Sequence, residues 1–432
     1  MDKAATPPRV VGPIASALMN VNGMIGAGIF AMPAILYSTL GSFAPWMILL
    51  VGSLVGCSSL VMAQLASMFR QSGGPQLYAQ VAFGDGPGFQ IGWLLLCAVI
   101  ASRAANFHVL VTYLAAIFPF FDDALIHTLT VLALIGLITW INILGMKAAV
   151  GGLLVGTGLK LCPILLVCLV GYAEEGIVAE FRMPTFGAVE STALLVYYAF
   201  SGGFSNTYAA GEVANPRRTI PRSIIVSLAS TIALYMFVQF AFNAVKPEMG
   251  DGGTPLAAMG GALLGDKGSL LMALAAIFSI ATNQHSMYMA GPRVLYGMAR
   301  RGLLPATFTH VSPRGQVPDR AIYMFSGLIA LLSLTGGFAF LAEVMGVAAQ
   351  IVTLSGLAAF IVLRRKGQEN HPLGVGPSWY LCIALAASFA IFAASQADLV
   401  AFALLGGLIV LGTGLYFVAR SDETFVPEPE FD

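Results

Sequence analysis

Asn22-Gly23-Met24-Ile25-Gly26-Ala27-Gly28-Ile29-Phe30 interrupts an apolar stretch long enough to span a bilayer, and about 175 residues later Tyr198-Ala199-Phe200-Ser201-Gly202-Gly203-Phe204-Ser205-Asn206 interrupts another. A helix that unwinds inside hydrocarbon exposes backbone N–H and C=O groups with no water to satisfy them. Such a break survives only where protein or a water-filled cavity supplies partners. A pair of breaks at corresponding places points to the binding site of a transporter.

The rest of the chain fits a membrane setting. It has 432 residues, of which 58% are apolar and 10% charged, and its mean hydropathy is +0.84. Soluble domains are about 45–50% apolar and about 25% charged, so this chain reads as an all-α integral membrane protein. The apolar runs are continuous and do not alternate, which argues against an outer-membrane barrel. We expect about twelve transmembrane helices, near 12–37, 43–69, 87–118, 125–144, 149–172, 190–211, 222–244, 269–298, 321–335, 338–363, 378–395 and 399–418. The stretch at 321–335 is short for a full crossing.

The zero net charge hides an asymmetry between the two sides of these spans. Lys3, Arg9, Arg70, Lys147, Arg217, Arg218, Arg222, Arg293, Arg300, Arg301, Arg314, Arg320, Arg364, Arg365, Lys366 and Arg420 fall on one side, and only Arg182, Lys246 and Lys267 on the other. That bias places the first side, with both termini, in the cytoplasm. Residues 1–11 form a short polar N-terminus with no sign of a cleaved signal peptide. Residues 419–432 form an acidic cytoplasmic tail expected to be disordered. Cys57, Cys97, Cys162, Cys168 and Cys382 lie in apolar spans without metal-ligand spacing. They are expected to pack as small apolar residues, and no metal site is expected.

The two breaks offer complementary chemistry. An unwound turn at Gly23, Gly26 and Gly28 presents free amides, and half-helix N-termini favour an anion such as a carboxylate. The competing reading is close helix packing through small residues. Asn20, Asn22 and the second break favour a site. At the second break, the carbonyls of Ala199, Phe200 and Ser201 can accept hydrogen bonds from an ammonium group. Tyr197, Tyr198, Phe200 and Phe204 surround them with rings able to close over a solute, although ordinary aromatic packing accounts for at least two of the four.

These residues carry a family resemblance. Ile25-Gly26-Ala27-Gly28-Ile29-Phe30 resembles the helix-1 signature of the amino acid–polyamine–organocation transporters. Ala199-Phe200-Ser201-Gly202 through Gly211-Glu212-Val213-Ala214-Asn215-Pro216-Arg217-Arg218-Thr219-Ile220-Pro221-Arg222 resembles that family's helix 6 and following loop. Gly291-Pro292-Arg293-Val294-Leu295-Tyr296-Gly297-Met298-Ala299-Arg300-Arg301-Gly302-Leu303-Leu304-Pro305 resembles the end of its helix 8, and Gly73-Gly74-Pro75 with Tyr78 fits the loop after helix 2.

The resemblance implies a first five-helix repeat over 12–172, an inverted second repeat over 190–366 and two peripheral helices over 378–418. Five helices separate the two breaks, and an odd number flips the second copy. The resemblance also implies that Ile25 to Gly28 receives a substrate carboxylate and the Ala199–Ser201 backbone its amino group. One departure stands out: many relatives carry a carboxylate shortly after Phe200-Ser201-Gly202, where this chain has Gly203 and Phe204.

Ionisable residues inside a membrane are functional by default. Lys160 lies mid-way along the fifth span, where proton-coupled members of the family have a lysine. A lysine stripped of water is a candidate to release and take up a proton, acting with Gly23 at the first break. The alternative is a permanently charged Lys160 bonded to helix-1 carbonyls near Gly23. Arg103, deep in the third span beside Asn106, is a poor proton carrier and is expected to pair with backbone carbonyls or an acid. With Asn283 it is a candidate for the substrate pathway. Glu343 reads as a solvated helix end. Ser279, Thr282, Gln284 and His285 read mostly as hydrogen-bonding groups within the bundle.

No zinc, phosphate-loop or nucleophile-elbow motif is visible, so neither an enzyme nor a cofactor is expected, and the Arg-rich loops need no nucleic acid. The expectation is a plasma-membrane secondary transporter working by alternating access. Its partners are the lipid bilayer, an amino acid and a proton. The amino acid is expected to be neutral, small or apolar, because no acidic side chain stands beside either break. Its site is expected to comprise Asn22, Ile25, Gly26, Ala27, Gly28, Tyr198, Ala199, Phe200, Ser201, Gly202 and Phe204. Obligate exchange with Lys160 permanently charged is the alternative. A non-transporting amino acid sensor is more remote, since the loops are too short to contain a signalling module.

Overall fold

A computed structural model describes residues 9–419 apart from 27, 70, 178–179, 249–253, 335–337, 367–377 and 397–398. The expectations for Ala27, Arg70, the extreme N-terminus, the tail from 420 and the Glu343 side chain lie outside the described residues. Among the described residues there is no strand. The regular structure of the described residues consists of fifteen α-helices and four short 3-10 helices. In chain order the α-helices are α1 Pro13–Met24, α2 Gly28–Leu40, α3 Ala44–Met68, α4 Pro75–Phe83, α5 Asp85–Ile117, α6 Ala124–Ile143, α7 Met146–Glu175, α8 Phe186–Ala199, α9 Pro216–Val245, α10 Pro255–Ala290, α11 Pro292–Arg300, α12 Asp319–Ser333, α13 Phe338–Arg365, α14 Ser378–Ala394 and α15 Leu399–Ala419.

Proline opens many of these helices, at Pro13, Pro45, Pro75, Pro216, Pro255 and Pro292. A first-turn position needs no N–H, so the missing donor does no harm there. The same lack separates α10 from α11 at Pro292. The stretch expected to begin near 269 starts earlier, at Pro255, but Gly265 (φ 64°) kinks it and divides off the first turns. Only glycine takes that conformation readily.

Among the described residues, seven helical stretches are long and apolar enough to cross a membrane: Met32–Met68, Asp85–Ala115, Ala124–Ile143, Gly156–Glu175, Pro216–Val245, Pro255–Arg300 and Gly346–Arg365. Their outer faces carry exposed large apolar residues, among them Leu129, Leu137 and Trp140 on α6 and Leu166 and Leu169 on α7. In water such a surface would aggregate; against lipid it is the expected exterior. Cys162 is also exposed, so it faces outward and is not the buried packing residue expected, whereas Cys168 is buried.

Both expected interruptions are present, and they cross. α1 ends at Met24, Ile25 turns extended (φ −77°, ψ 91°), and α2 resumes at Gly28. α8 ends at Ala199, turns follow over 200–204, and a 3-10 helix continues over Ser205–Glu212. Gly202 has φ +96°. A β-carbon on it would fall 2.9 Å from the Gly23 carbonyl oxygen, and one on Gly23 would fall 3.0 Å from the Gly202 oxygen. Glycine is therefore required on both sides of this crossing. The ends of the two broken helices are also joined: Val11 N–H donates to Glu212 O at 3.0 Å and Ala214 N–H to Val11 O at 2.9 Å.

Two arginines counted as cytoplasmic loop charges are buried. Arg293, 1% exposed, pairs with Glu212 through Nε–Oε1 at 2.7 Å and Nη2–Oε2 at 3.1 Å. Arg301 donates to Gln80 Oε1 and Ser72 O, each at 2.8 Å, and to Gln76. They lock the Gly73-Gly74-Pro75 segment and the end of the second broken helix onto α11.

Candidate functional site

The first break is held by side chains from three other helices. Lys160 on α7, with no exposed surface, donates to Ile25 O at 3.0 Å. Asn283 on α10 donates through Nδ2 to Asn22 O at 2.8 Å and Gly23 O at 2.7 Å. Tyr235 on α9 reaches both breaks, its hydroxyl lying 3.0 Å from Met24 O and 3.1 Å from Ala199 O. The carbonyls freed by unwinding α1 are thus satisfied by protein donors, as burial in an apolar medium demands.

Beside the second break lies a cavity with about 740 Å³ of space free of protein atoms, counting its open mouth. Its described lining comes from Val55 and Ser58 on α3, Leu95, Ala98, Val99, Ser102 and Arg103 on α5, Tyr197 on α8, and Phe200, Ser201, Gly202, Phe204 and Tyr208 on the second break and its 3-10 helix. Met287 on α10 and Ala349, Val352 and Thr353 on α13 complete it.

The expected site residues therefore divide. Phe200, Ser201, Gly202, Phe204 and Arg103 line the cavity; Asn22, Ile25, Gly26, Gly28, Tyr198 and Ala199 are not among its described lining. Asn22 turns its side chain to Leu18 O at 2.9 Å and Thr157 Oγ1 at 2.7 Å. Ile25 is buried, and Gly26 is tight against Asn283, where a β-carbon would come within 2.9 Å. Gly28 packs against Ala199. Tyr198 donates to Asn106 Oδ1 at 3.4 Å. Among the aromatic residues, Phe200 packs on Tyr235 with centroids 5.3 Å apart, Tyr197 on Phe389 at 6.0 Å and Phe204 on Tyr208 at 6.2 Å.

Arg103 is bound by neutral side chains, against the expectation of carbonyls or an acid. Nη1 donates to Asn283 Oδ1 and, at 3.0 Å, to Gln284 Oε1; Nη2 donates to Ser102 Oγ at 2.7 Å. Gln284 Nε2 in turn donates to Arg103 O at 2.7 Å, and Asn106 Nδ2 to Asn283 Oδ1 at 3.2 Å. Asn283 thus links the α5 cation to the α1 break. Sequence reasoning passed over Tyr235 and undervalued Gln284. A tyrosine in an apolar span needs a partner for its hydroxyl, which was the available signal for Tyr235.

A family model described as "Amino acid permease" matches residues 11–418. The chain belongs to this amino acid permease family. Among curated proteins, the permease is 24% identical to "Cationic amino acid transporter 4, vacuolar" of Arabidopsis thaliana over 383 residues, covering 82% of this chain and 63% of that protein. It is 26% identical to "Asc-type amino acid transporter 1" of Mus musculus over 348 residues, covering 76% and 65%. The chain thus spans less than two thirds of the length of these two relatives. It is 27% identical to the "Cadaverine/lysine antiporter" of Escherichia coli (strain K12) over 432 residues, covering 95% and 94%. Family membership and the seven apolar stretches together make the permease a multi-pass membrane protein.

Proposed function

We propose that this permease is a secondary active transporter that carries neutral, small or apolar amino acids across the plasma membrane by alternating access, in symport with protons. The observation that carries the reading is the complete burial of the Lys160 amine, seated on the Ile25 carbonyl of the first break at 3.0 Å; the bond alone is shared with the exchange reading. A proton lost from Lys160 would weaken that bond and release the break's geometry, so protonation and the shape of the site are linked through one contact. The crossing of the two breaks at Gly23 and Gly202 supports a substrate site at their junction. It also fits two inverted five-helix repeats over 12–172 and 190–366, with both termini cytoplasmic. The described cavity lining contains no Asp or Glu to pair with a cationic side chain, which supports the substrate class.

Exchange is the second reading, with Lys160 permanently charged. It draws on the similarity over nearly the whole chain to a protein named as an antiporter. Proteoliposome uptake separates the two. Symport requires net uptake driven by an inward proton gradient, indifferent to sodium and abolished in Lys160→Ala. Counterflow without net uptake, unaffected by a proton gradient, establishes exchange instead.

A further inference from the structure

Resting on the transport reading above, we propose that Asn283 is a positioning residue for the substrate carboxylate. Its carboxamide replaces the helical donors of the first break and so frees the break's own N–H groups, and Arg103 fixes it in the orientation that does this. The carboxylate is bound by the freed N–H groups and touches neither side chain. In an unbroken helix the carbonyl of residue i accepts from the N–H of residue i+4. Past Met24 that pattern stops. The carbonyls of Asn22, Gly23, Met24 and Ile25 would otherwise draw on the N–H groups of residues 26 to 29. Side chains take over instead. Asn283 Nδ2 donates to Asn22 O at 2.8 Å and to Gly23 O at 2.7 Å, the Tyr235 hydroxyl lies 3.0 Å from Met24 O, and Lys160 donates to Ile25 O at 3.0 Å. Each replacement satisfies a carbonyl that burial would otherwise penalise, and it releases a backbone N–H from that carbonyl. Free N–H groups at a helix N-terminus suit an anion, and α2 begins here, at Gly28. Asn283 has the largest share, since its one NH2 group serves two carbonyls.

A carboxamide can face either way, and the wrong way would set its oxygen against two carbonyl oxygens. Two donors decide the matter. Arg103 Nη1 and, at 3.2 Å, Asn106 Nδ2 both point at Asn283 Oδ1. With the oxygen held on that side, the NH2 group is turned to the break. The guanidinium is the stronger of the two, because a charged donor makes the stronger bond and Arg103 keeps its charge. Its other acceptors, Gln284 and Ser102, are neutral, so its position is set by amides and a hydroxyl. The break makes room for the carboxamide at Gly26, where a β-carbon would come within 2.9 Å of the Asn283 carboxamide carbon and nitrogen. The glycine in the middle of the signature is thus explained by the approach of Asn283. Arg103 and Asn283 together form a brace from α5 through α10 to α1, and its end product is a turn of unclaimed N–H groups.

The test reads carboxylate recognition apart from stability. The full-length protein in lipid nanodiscs is screened by thermal shift against the standard L-amino acids. The amino acid that stabilises it most is carried forward with its α-carboxamide, and dissociation constants are measured for both. The wild type is expected to bind the acid about tenfold or more tighter than the amide, the worth of hydrogen bonds to a charged group. Asn283→Leu, close in shape and without donors, is expected to reduce that preference to within about twofold, because the N–H groups return to the carbonyls. Arg103→Met leaves Asn283 in place but no longer orients it, and is expected to reduce the preference about threefold or more. Arg103→Lys restores a cationic donor and is expected to recover most of it. The two arginine variants carry the test if Asn283→Leu does not fold. A residue that merely props the bundle would lower the melting temperature and leave the ratio alone. Were Arg103 itself the partner of the carboxylate, Asn283→Leu would keep the preference. An undiminished preference in folded Asn283→Leu or Arg103→Met therefore overturns the proposal while the transport reading stands, as does a wild type that binds acid and amide alike. A wild type stabilised by no amino acid overturns both.

Discussion

The two glycine-broken helices look alike in sequence and differ in what meets their freed backbone. At the first break, Lys160, Asn283 and Tyr235 reach in from α7, α10 and α9 and occupy the carbonyls of Asn22, Gly23, Met24 and Ile25. At the second, the turn from Phe200 to Phe204 borders a cavity. One break is a joint whose carbonyls are sealed by side chains, and the other a wall of open space. Glycine in a membrane helix thus marks irregular backbone without saying whether protein or solute completes it. The donors reaching in from other helices decide that.

The sharpest way to break this comparison is at the crossing. Gly202→Val puts a β-branched residue at φ +96° and a β-carbon 2.9 Å from the Gly23 oxygen. Backbone strain and overpacking together should cost about 3 kcal/mol or more, so neither transport nor a wild-type melting temperature should survive. Gly203→Ala is the control: its β-carbon would meet the flexible Met24 sulfur at 3.2 Å, and the loss should be far smaller. Equal effects at the two positions would mean that the breaks do not cross there.

Asn283→Ala attacks the sealed joint next. It strips two carbonyls and one guanidinium contact of their partner at once. Unsatisfied buried groups cost about 1–3 kcal/mol each, partly relieved by relaxation. Thermal unfolding in detergent should show a loss of about 2–3 kcal/mol, well above that of Asn106→Ala, which removes contacts at 3.2 and 3.4 Å. Tyr235→Phe is milder. It keeps the ring packed on Phe200 and removes only a hydroxyl shared by the two breaks, so about 1 kcal/mol is expected.

The long apolar helices were legible from composition and run length alone, because a bilayer admits few other solutions. The helix expected over 87–118 is observed at Asp85–Ile117, and that expected over 43–69 at Ala44–Met68. Both breaks were legible from glycine spacing. Lys160 stood out as a lone cation in an apolar run, and its carbonyl partner is Ile25, close to Gly23 at the first break. What the chain did not disclose was long-range. Arg293 and Arg301 look like loop charges until the fold brings Glu212, Ser72, Gln76 and Gln80 to them. Arg103 looks like one of a charge pair until its neighbours turn out to be amides and a serine. Contacts such as Arg103 with Asn283 span 180 residues, and nothing in local pattern encodes which partner arrives.

The smallest effect should come from Ser201→Ala, and it bears on the open wall rather than the joint. Ser201 lines the cavity, and its N–H closes the turn onto Tyr198 O at 3.0 Å, a bond that alanine keeps. Its role in the reading above belongs to the backbone carbonyl. The variant should therefore melt within about 0.5 kcal/mol of wild type, as substitutions that disturb no buried network do, and its substrate dissociation constant should move by less than about fivefold. A larger loss of affinity with stability unchanged would transfer recognition at the second break from the backbone to the hydroxyl. That break would then be a side-chain site that happens to be unwound, and the contrast with the first, where side chains from other helices grip four successive backbone carbonyls, would be one of chemistry as well as of exposure.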